Sequence, residues 1–160
     1  MGRTCRSRPY VDREQRGQDL TGGLALGVTT YDLDVQHGFT AGRHEVVIGA
    51  DARSAHYRFS NTATLGFVPA RGTLNLASLY AQDTISLSQS VRLIAGLKME
   101  RDPYAGWSAM PNLRLSWSPA QNVLLWAAAS RAVRSPTPFD ADVQEHVDGR
   151  LFLTGDPNFR

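Results

Sequence analysis

The 160-residue chain has a single cysteine, Cys5, so it closes no internal disulfide and builds no cysteine zinc site. It lacks any apolar run near the roughly 20 residues a membrane-spanning helix needs, which excludes a helical membrane protein. It also lacks an excess of either charge. Lys+Arg number 17 against Asp+Glu 15, too balanced to mark a nucleic-acid binder. Arg3, Arg6, Arg8, Arg13 and Arg16 do cluster, but Asp12, Glu14 and Asp19 dilute them and only Tyr10 offers a stacking surface. Residues 1–27 therefore read as a solvated, poorly ordered lead-in.

Motifs for chemistry are absent too. His37, His44, His56 and His146 show no H-E-x-x-H or other ligand spacing, and Ser130 stands outside a G-x-S-x-G elbow. Gly17, Gly22, Gly23 and Gly27 do not form a dinucleotide fingerprint. No catalytic, metal-binding or cofactor-binding residue is assigned, and the expectation is a protein that is not an enzyme. The N-terminal stretch carries charge but no apolar h-region or small-residue cleavage site, so it is not a secretory signal.

What the sequence does have is alternation. From Val91 the odd positions are Val91, Leu93, Ala95, Leu97 and Met99, while the even ones include Arg92, Gly96, Lys98 and Glu100. From Pro111 the apolar set is Pro111, Leu113, Leu115 and Trp117, against Asn112, Arg114 and Ser116. A period of two puts the two sets on opposite faces of a sheet. One face is nearly free of charge and the other carries full charges, as in a barrel wall with lipid outside and water inside. A wall of this kind dilutes its hydropathy, which explains a mean of −0.29 with 42% hydrophobic residues.

Six strands are expected, at about 29–39, 45–59, 76–87, 91–101, 107–117 and 123–133, with a further short one near 151–154. Long loops are expected at about 60–75 and 134–155, and short turns at 40–43, 88–90 and 118–122. Asp32 and Asp34 share a face of the first strand; they suit an acid pair or metal ligands less well than a wet lumen wall. In the third run Leu79, Ala81, Ile85 and Leu87 share a face that Asp83 interrupts, so a bulge is one reading and the phase stays open. Pro111 predicts a local irregularity, since proline cannot donate to a ladder. Trp107, Trp117, Trp126, Tyr104 and Phe39 lie near strand ends and suit half-wet girdles at the membrane surfaces.

Five segments then carry a family likeness. Tyr80-Ala81-Gln82-Asp83-Thr84-Ile85 resembles the F/Y-x-Q-D-E-I strand of TonB-dependent outer-membrane receptors. The stretch from Leu93 to Glu100 is similar to their L-T-x-G-L-R-x-E strand, and Pro111 to Trp117 to their P-R-L-x-L-x-W strand. Leu125 to Pro136 resembles their L-W-A-x-x-S-R-A-x-R-x-P segment, and Gly155 to Phe159 their G-N-P-x-L/F element. The resemblance implies an all-β fold: an antiparallel meander of six to seven strands, part of a large plugged transmembrane barrel. It implies residence in the bacterial outer membrane among lipid, binding of a scarce nutrient such as a ferric siderophore, and import driven by the TonB energy-coupling protein. The family's plug domain, coupling box and signal peptide have no counterpart here, so the sequence is expected to be a piece of a longer chain that does not transport by itself. Arg131 and Arg134 are candidate contacts for an anionic ligand near the mouth, because arginine forks suit carboxylates and phosphates. The competing expectation is a soluble β-sandwich that binds a partner, whose apolar face a second sheet would cover.

Overall fold

A computed structural model describes residues 3–17, 25–156 and 158. Seven strands form one antiparallel meander in the order β1-β2-β3-β5-β6-β7-β8: β1 Arg3–Gly17, β2 Ala25–Ala41, β3 His44–Ser60, β5 Arg71–Ser86, β6 Val91–Asp102, β7 Gly106–Ala120 and β8 Val123–Ser130. A second sheet, ordered β10-β9-β4, comes from the connections: β4 Leu65–Phe67, β9 Val143–Val147 and β10 Arg150–Thr154, with a short helix α1 Pro138–Ala141 beside it.

The tight turns gather at one end of the large sheet. Gly42 links β2 to β3 with a φ of 61°, a left-handed conformation that glycine adopts without strain. At the other end the connections are longer, except for the turn after Asp102. There the Asp102 carboxylate accepts from the backbone N–H groups of Tyr104 and Ala105, both at 2.8 Å, which fixes the reversal locally. Between β9 and β10, Asp148 and Gly149 both take positive φ, the Asp-Gly geometry of a two-residue hairpin.

Register decides which side chains share a face. His37 pairs with Ile48, Ile48 with Ala81, Ala81 with Leu97, and Leu97 with Pro111. Neighbouring rows on the same side hold Val35, Ala50, Leu79 and Met99, then Leu93, Leu115 and Ala127. This apolar face is uncovered among the described residues: Leu79 is 61% exposed, Leu113 50%, Leu97 45% and Leu115 43%. No second layer seals it, so the sandwich expectation lacks its covering sheet. Trp107 and Trp117 both stand on this face by register. Ten residues separate them, which is about 33 Å of strand and about 25 Å along the normal at a tilt near 40°, the height of a barrel's apolar band. Phe39 sits on the same face, but Trp126 pairs with Ser116 on the polar face and Tyr104 lies in a turn, so neither of these joins a girdle.

Several sequence expectations are corrected. The lead-in expected over 1–27 instead supplies β1, paired with β2 from Arg3↔Phe39 to Gly17↔Ala25. Its apolar-face set, including Cys5, Ser7, Pro9 and Val11, is too weakly apolar to register as a strand pattern, while β2 provides the backbone partners. Residues 18–24 of that span lie outside the described residues. The loop expected at 60–75 contains β4 and the start of β5, and the one at 134–155 contains α1, β9 and β10. The third run has no bulge: its register with β3 and β6 is unbroken, and Asp83 lies on the apolar face, where His44 meets it at 2.6 Å. Nor does Pro111 disturb β7. Its carbonyl accepts from the Arg131 N–H at 3.0 Å, so its missing donor points toward residue 131, just past the last residue of β8. The strand therefore ends at Ser130 rather than near 133, and the register shift falls between Trp117 and Ala120, around Pro119.

The small sheet seats on the polar face of β3 at the long-connection end. Phe67, fully buried, stacks on Phe59 with ring centroids 3.7 Å apart and meets Phe139 edge-on at 4.8 Å. The Asn61 amide clasps the Phe67 backbone at both its N–H and its carbonyl, each at 3.0 Å. Replacing Phe67 with Ala should cost about 3–5 kcal/mol locally. Hydrogen exchange should speed up in 61–70 and 138–156 while protection in β5 to β7 stays as it was.

Candidate ligand-facing wall

The polar face is built from the even positions of β2, β5, β6 and β7 and the odd positions of β3. One row runs Asp34↔Asp51↔Ser78↔Glu100 across four strands. Like charges opposite one another on a sheet repel, and the neighbouring row answers them. Lys98 Nζ lies 2.6 Å from Glu100 and 3.8 Å from Asp51, while buried Ser78 donates to Asp51 at 2.6 Å. Tyr80 donates toward Gln36 at 3.3 Å and Asp34 at 3.4 Å. A third row sets Asp32 against Arg53, whose Nε donates at 2.7 Å.

Tyr80 reaches those partners because it lies flat over Gly49, its register partner. A Cβ at Gly49 would collide with the Tyr80 ring. The same device recurs at Gly72 under the Tyr57 ring, and the Asn112 amide takes the corresponding place over Gly96. A ring laid across a cross-strand glycine restores the contact area that the glycine lacks. These glycines show in the sequence only as gaps in the alternation, which is why the Tyr80–Gly49 pair and the Lys98 hub escaped prediction.

Each sequence candidate now has a place. Asp32 and Asp34 do share the polar face, but one is bound to Arg53 and the other receives Tyr80. Among the described residues no group of three or more His, Cys, Asp or Glu is arranged to hold a metal. His37, His44 and His56 stand on the apolar face in separate rows, and His146 lies in β9. Ser130 ends β8 opposite Asn112. Arg131 continues the apolar-face parity opposite Pro111, whereas Arg134 reaches the small sheet's helix and binds Asp140 at 2.7 Å. Asp140 also accepts from the Thr137 hydroxyl at 2.8 Å and N–H at 2.9 Å. These Thr137 bonds first, and Arg134 second, hold its carboxyl below the usual range.

Where the small sheet meets the β6–β7 turn, the Tyr104 hydroxyl donates to Asp142 at 2.9 Å. Burial, then Asp142, pushes this phenol well above its ordinary value. A raised folded-state pKa gives stability that is whole below the unfolded value of about 10 and is lost as pH climbs beyond it. Limited proteolysis should therefore leave 138–156 resistant at pH 8 and cut it readily above about pH 11. Tyr104→Phe should weaken docking at pH 8 and flatten that alkaline step.

The geometry is that of an antiparallel wall segment with a bare apolar side, a hydrogen-bonded polar side, and a folded cap at the end with the long connections. Among solved structures, the siderophore receptor PirA from Pseudomonas aeruginosa shares this fold, with a TM-score of 0.59 at 16% identity. The match covers 84% of this chain and 29% of that one, so the chain spans under a third of that receptor's length. No curated protein matches. The family model described as "TonB dependent receptor-like, beta-barrel" matches residues 4–160. The chain belongs to the TonB-dependent receptor-like β-barrel family.

Proposed function

We propose that these strands are part of an outer-membrane receptor that binds a scarce nutrient, such as a ferric siderophore, and imports it with energy from the TonB coupling protein. The observation that carries this reading is the two-sided wall: uncovered Leu, Ala and Trp on one face, and a hydrogen-bonded array of Asp, Lys, Tyr and Ser on the other. An apolar face suits lipid, and a polar one suits a wet passage. The turn end would face the periplasm and the capped end the cell exterior. The work is that of a receptor rather than an enzyme.

β1 and β8 are the open edges of the described sheet. Unpaired strand edges cost several kcal/mol per polar group in hydrocarbon, so the 160 residues acting alone would not transport. Arg131 and Arg134 remain the candidate contacts for an anionic ligand, at the point where β8 leaves the wall for the cap.

Uptake of labelled ferric siderophores, catecholate and hydroxamate, in iron-starved cells tests the proposal. Cells lacking this protein should lose uptake of at least one probe, as should cells lacking TonB, and supplying only the 160 residues should not restore it. Arg134→Ala should lower uptake by roughly tenfold at limiting ligand if the guanidinium contacts an anion. Unchanged uptake of every scarce-nutrient probe in the deletion strain would refute the proposal.

A further inference from the structure

The polar face changes character at its turn end. Its middle rows are acidic and braced, but its last row reads Ser86, Arg92 and Ser116 across β5, β6 and β7. One row inward, Arg114 stands opposite Ile94. From the β2–β3 turn, Arg43 reaches over to the next turn and donates to the Leu87 carbonyl at 3.1 Å. Arg43, Arg92, Ser86, Ser116 and Ser118 together line a cavity of about 610 Å³ at the rim.

This cavity has no aspartate or glutamate in its lining. Glu45, the carboxylate closest in register on the same face, pairs with Thr84. Among the described residues it makes no ion pair with Arg43, Arg92 or Arg114. Asp83 belongs to the opposite face, where His44 holds it. Higher on the polar face, Lys98 is neutralised by Asp51 and Glu100. The arginines of the rim have no such answer within the described residues.

The rim is fixed before anything enters it. The Ser86 N–H donates to the Arg43 carbonyl at 2.9 Å, and the Ser118 N–H to the Ser90 carbonyl at 2.8 Å. The Ser88 hydroxyl accepts from the N–H groups of Ser90 at 3.2 Å and Val91 at 3.0 Å. These bonds tie three successive turns to one another, so the cost of ordering them is already met by the fold. Left over are donors. The Arg92 guanidinium and the Ser86 and Ser118 hydroxyls have no partner among the described residues, and Ser116 makes only a 3.5 Å contact with the Arg92 carbonyl.

Donors arriving from two turns and three strands surround a ligand rather than meet it along one line. A planar carboxylate offers two oxygens in one plane. A phosphate offers oxygens in several directions, and guanidinium forks bind them in pairs. The cavity falls in the size range of small-molecule sites and holds more than a bare phosphate. We propose that the rim binds the phosphate group of a small solute between Arg43 and Arg92, with the hydroxyls of Ser86, Ser116 and Ser118 donating to its oxygens. In the orientation proposed above the site opens toward the periplasm, and it shares no residue with the candidate contacts Arg131 and Arg134.

The test uses the receptor carrying these strands, purified from outer membranes in detergent and freed of phosphate. It is titrated at constant ionic strength with inorganic phosphate, glycerol 3-phosphate and acetate. Both phosphates should bind and should slow amide exchange at 42–44 and 86–92, while acetate binds at least about tenfold more weakly. Tighter binding of glycerol 3-phosphate identifies an ester as the natural occupant, and equal binding identifies free phosphate. Arg92→Gln and Arg43→Gln should each weaken binding about tenfold. Ser86→Ala, with a smaller loss, serves if either arginine variant fails to fold, as read from the heat-dependent shift of the barrel on gels. Equal binding by wild type and folded variants would overturn the inference, as would acetate competing as well as phosphate. So would a wild-type receptor that takes up neither phosphate, the result expected if another part of the receptor fills the cavity.

Discussion

Unbroken antiparallel register is the constraint on which the rest depends. From β1 through β7 the pairing proceeds without a shift. A slip of one residue in any strand would carry its apolar set to the polar side and its charges to the apolar side. The register also satisfies the backbone, since each interior strand gives its N–H and C=O groups to two neighbours, and hydrocarbon allows no other arrangement. The one register shift in the large sheet falls at the turn end of β7 and β8, where leaving the ladder costs least.

The two faces are held differently. The apolar side needs little beyond apolar surface, so its leucines and alanines are bare, and the Asp83 carboxylate it does carry is met by His44 at 2.6 Å. The polar side cannot rely on water alone, because its carboxylates are ranked opposite one another. Isolated surface ion pairs contribute little, but Lys98, Ser78 and Tyr80 tie several acids into one network, and cross-strand glycines let the longer side chains lie flat. The cap has a different character again. It is a small aromatic core around Phe67, attached by few bonds at the β6–β7 turn, so it can loosen without disturbing the strands beneath it.

Much of the wall was legible from the sequence because period-2 alternation reports the two faces directly: Val91 to Met99 and Pro111 to Trp117 occupy the sides expected. The Asp83 phase was open only because a carboxylate sits on the apolar side, and no one-dimensional pattern displays its His44 partner, which belongs to a different hairpin. β1 was missed since edge strands need little apolar surface when a neighbour supplies the hydrogen bonds, and Ser7 and Arg13, which share the face of Cys5, Pro9 and Val11, masked its parity. The cap was hidden for a related reason: Phe59, Phe67 and Phe139 are far apart in sequence and meet only when two connections fold together. Pro111 misled because its effect depends on which neighbour its nitrogen faces, and here that neighbour ends.

The central claim, that alternate residues of these strands touch hydrocarbon and water, is best tested by accessibility along β7. With Cys5 replaced by serine, single cysteines at positions 112 to 116, introduced in the membrane-inserted receptor, would carry a nitroxide. Collision with lipid-soluble oxygen and with a water-soluble nickel chelate would then be compared at each site. Oxygen should dominate at 113 and 115 and the chelate at 112, 114 and 116. Accessibility without that alternation, or oxygen contact at 114, would contradict the account.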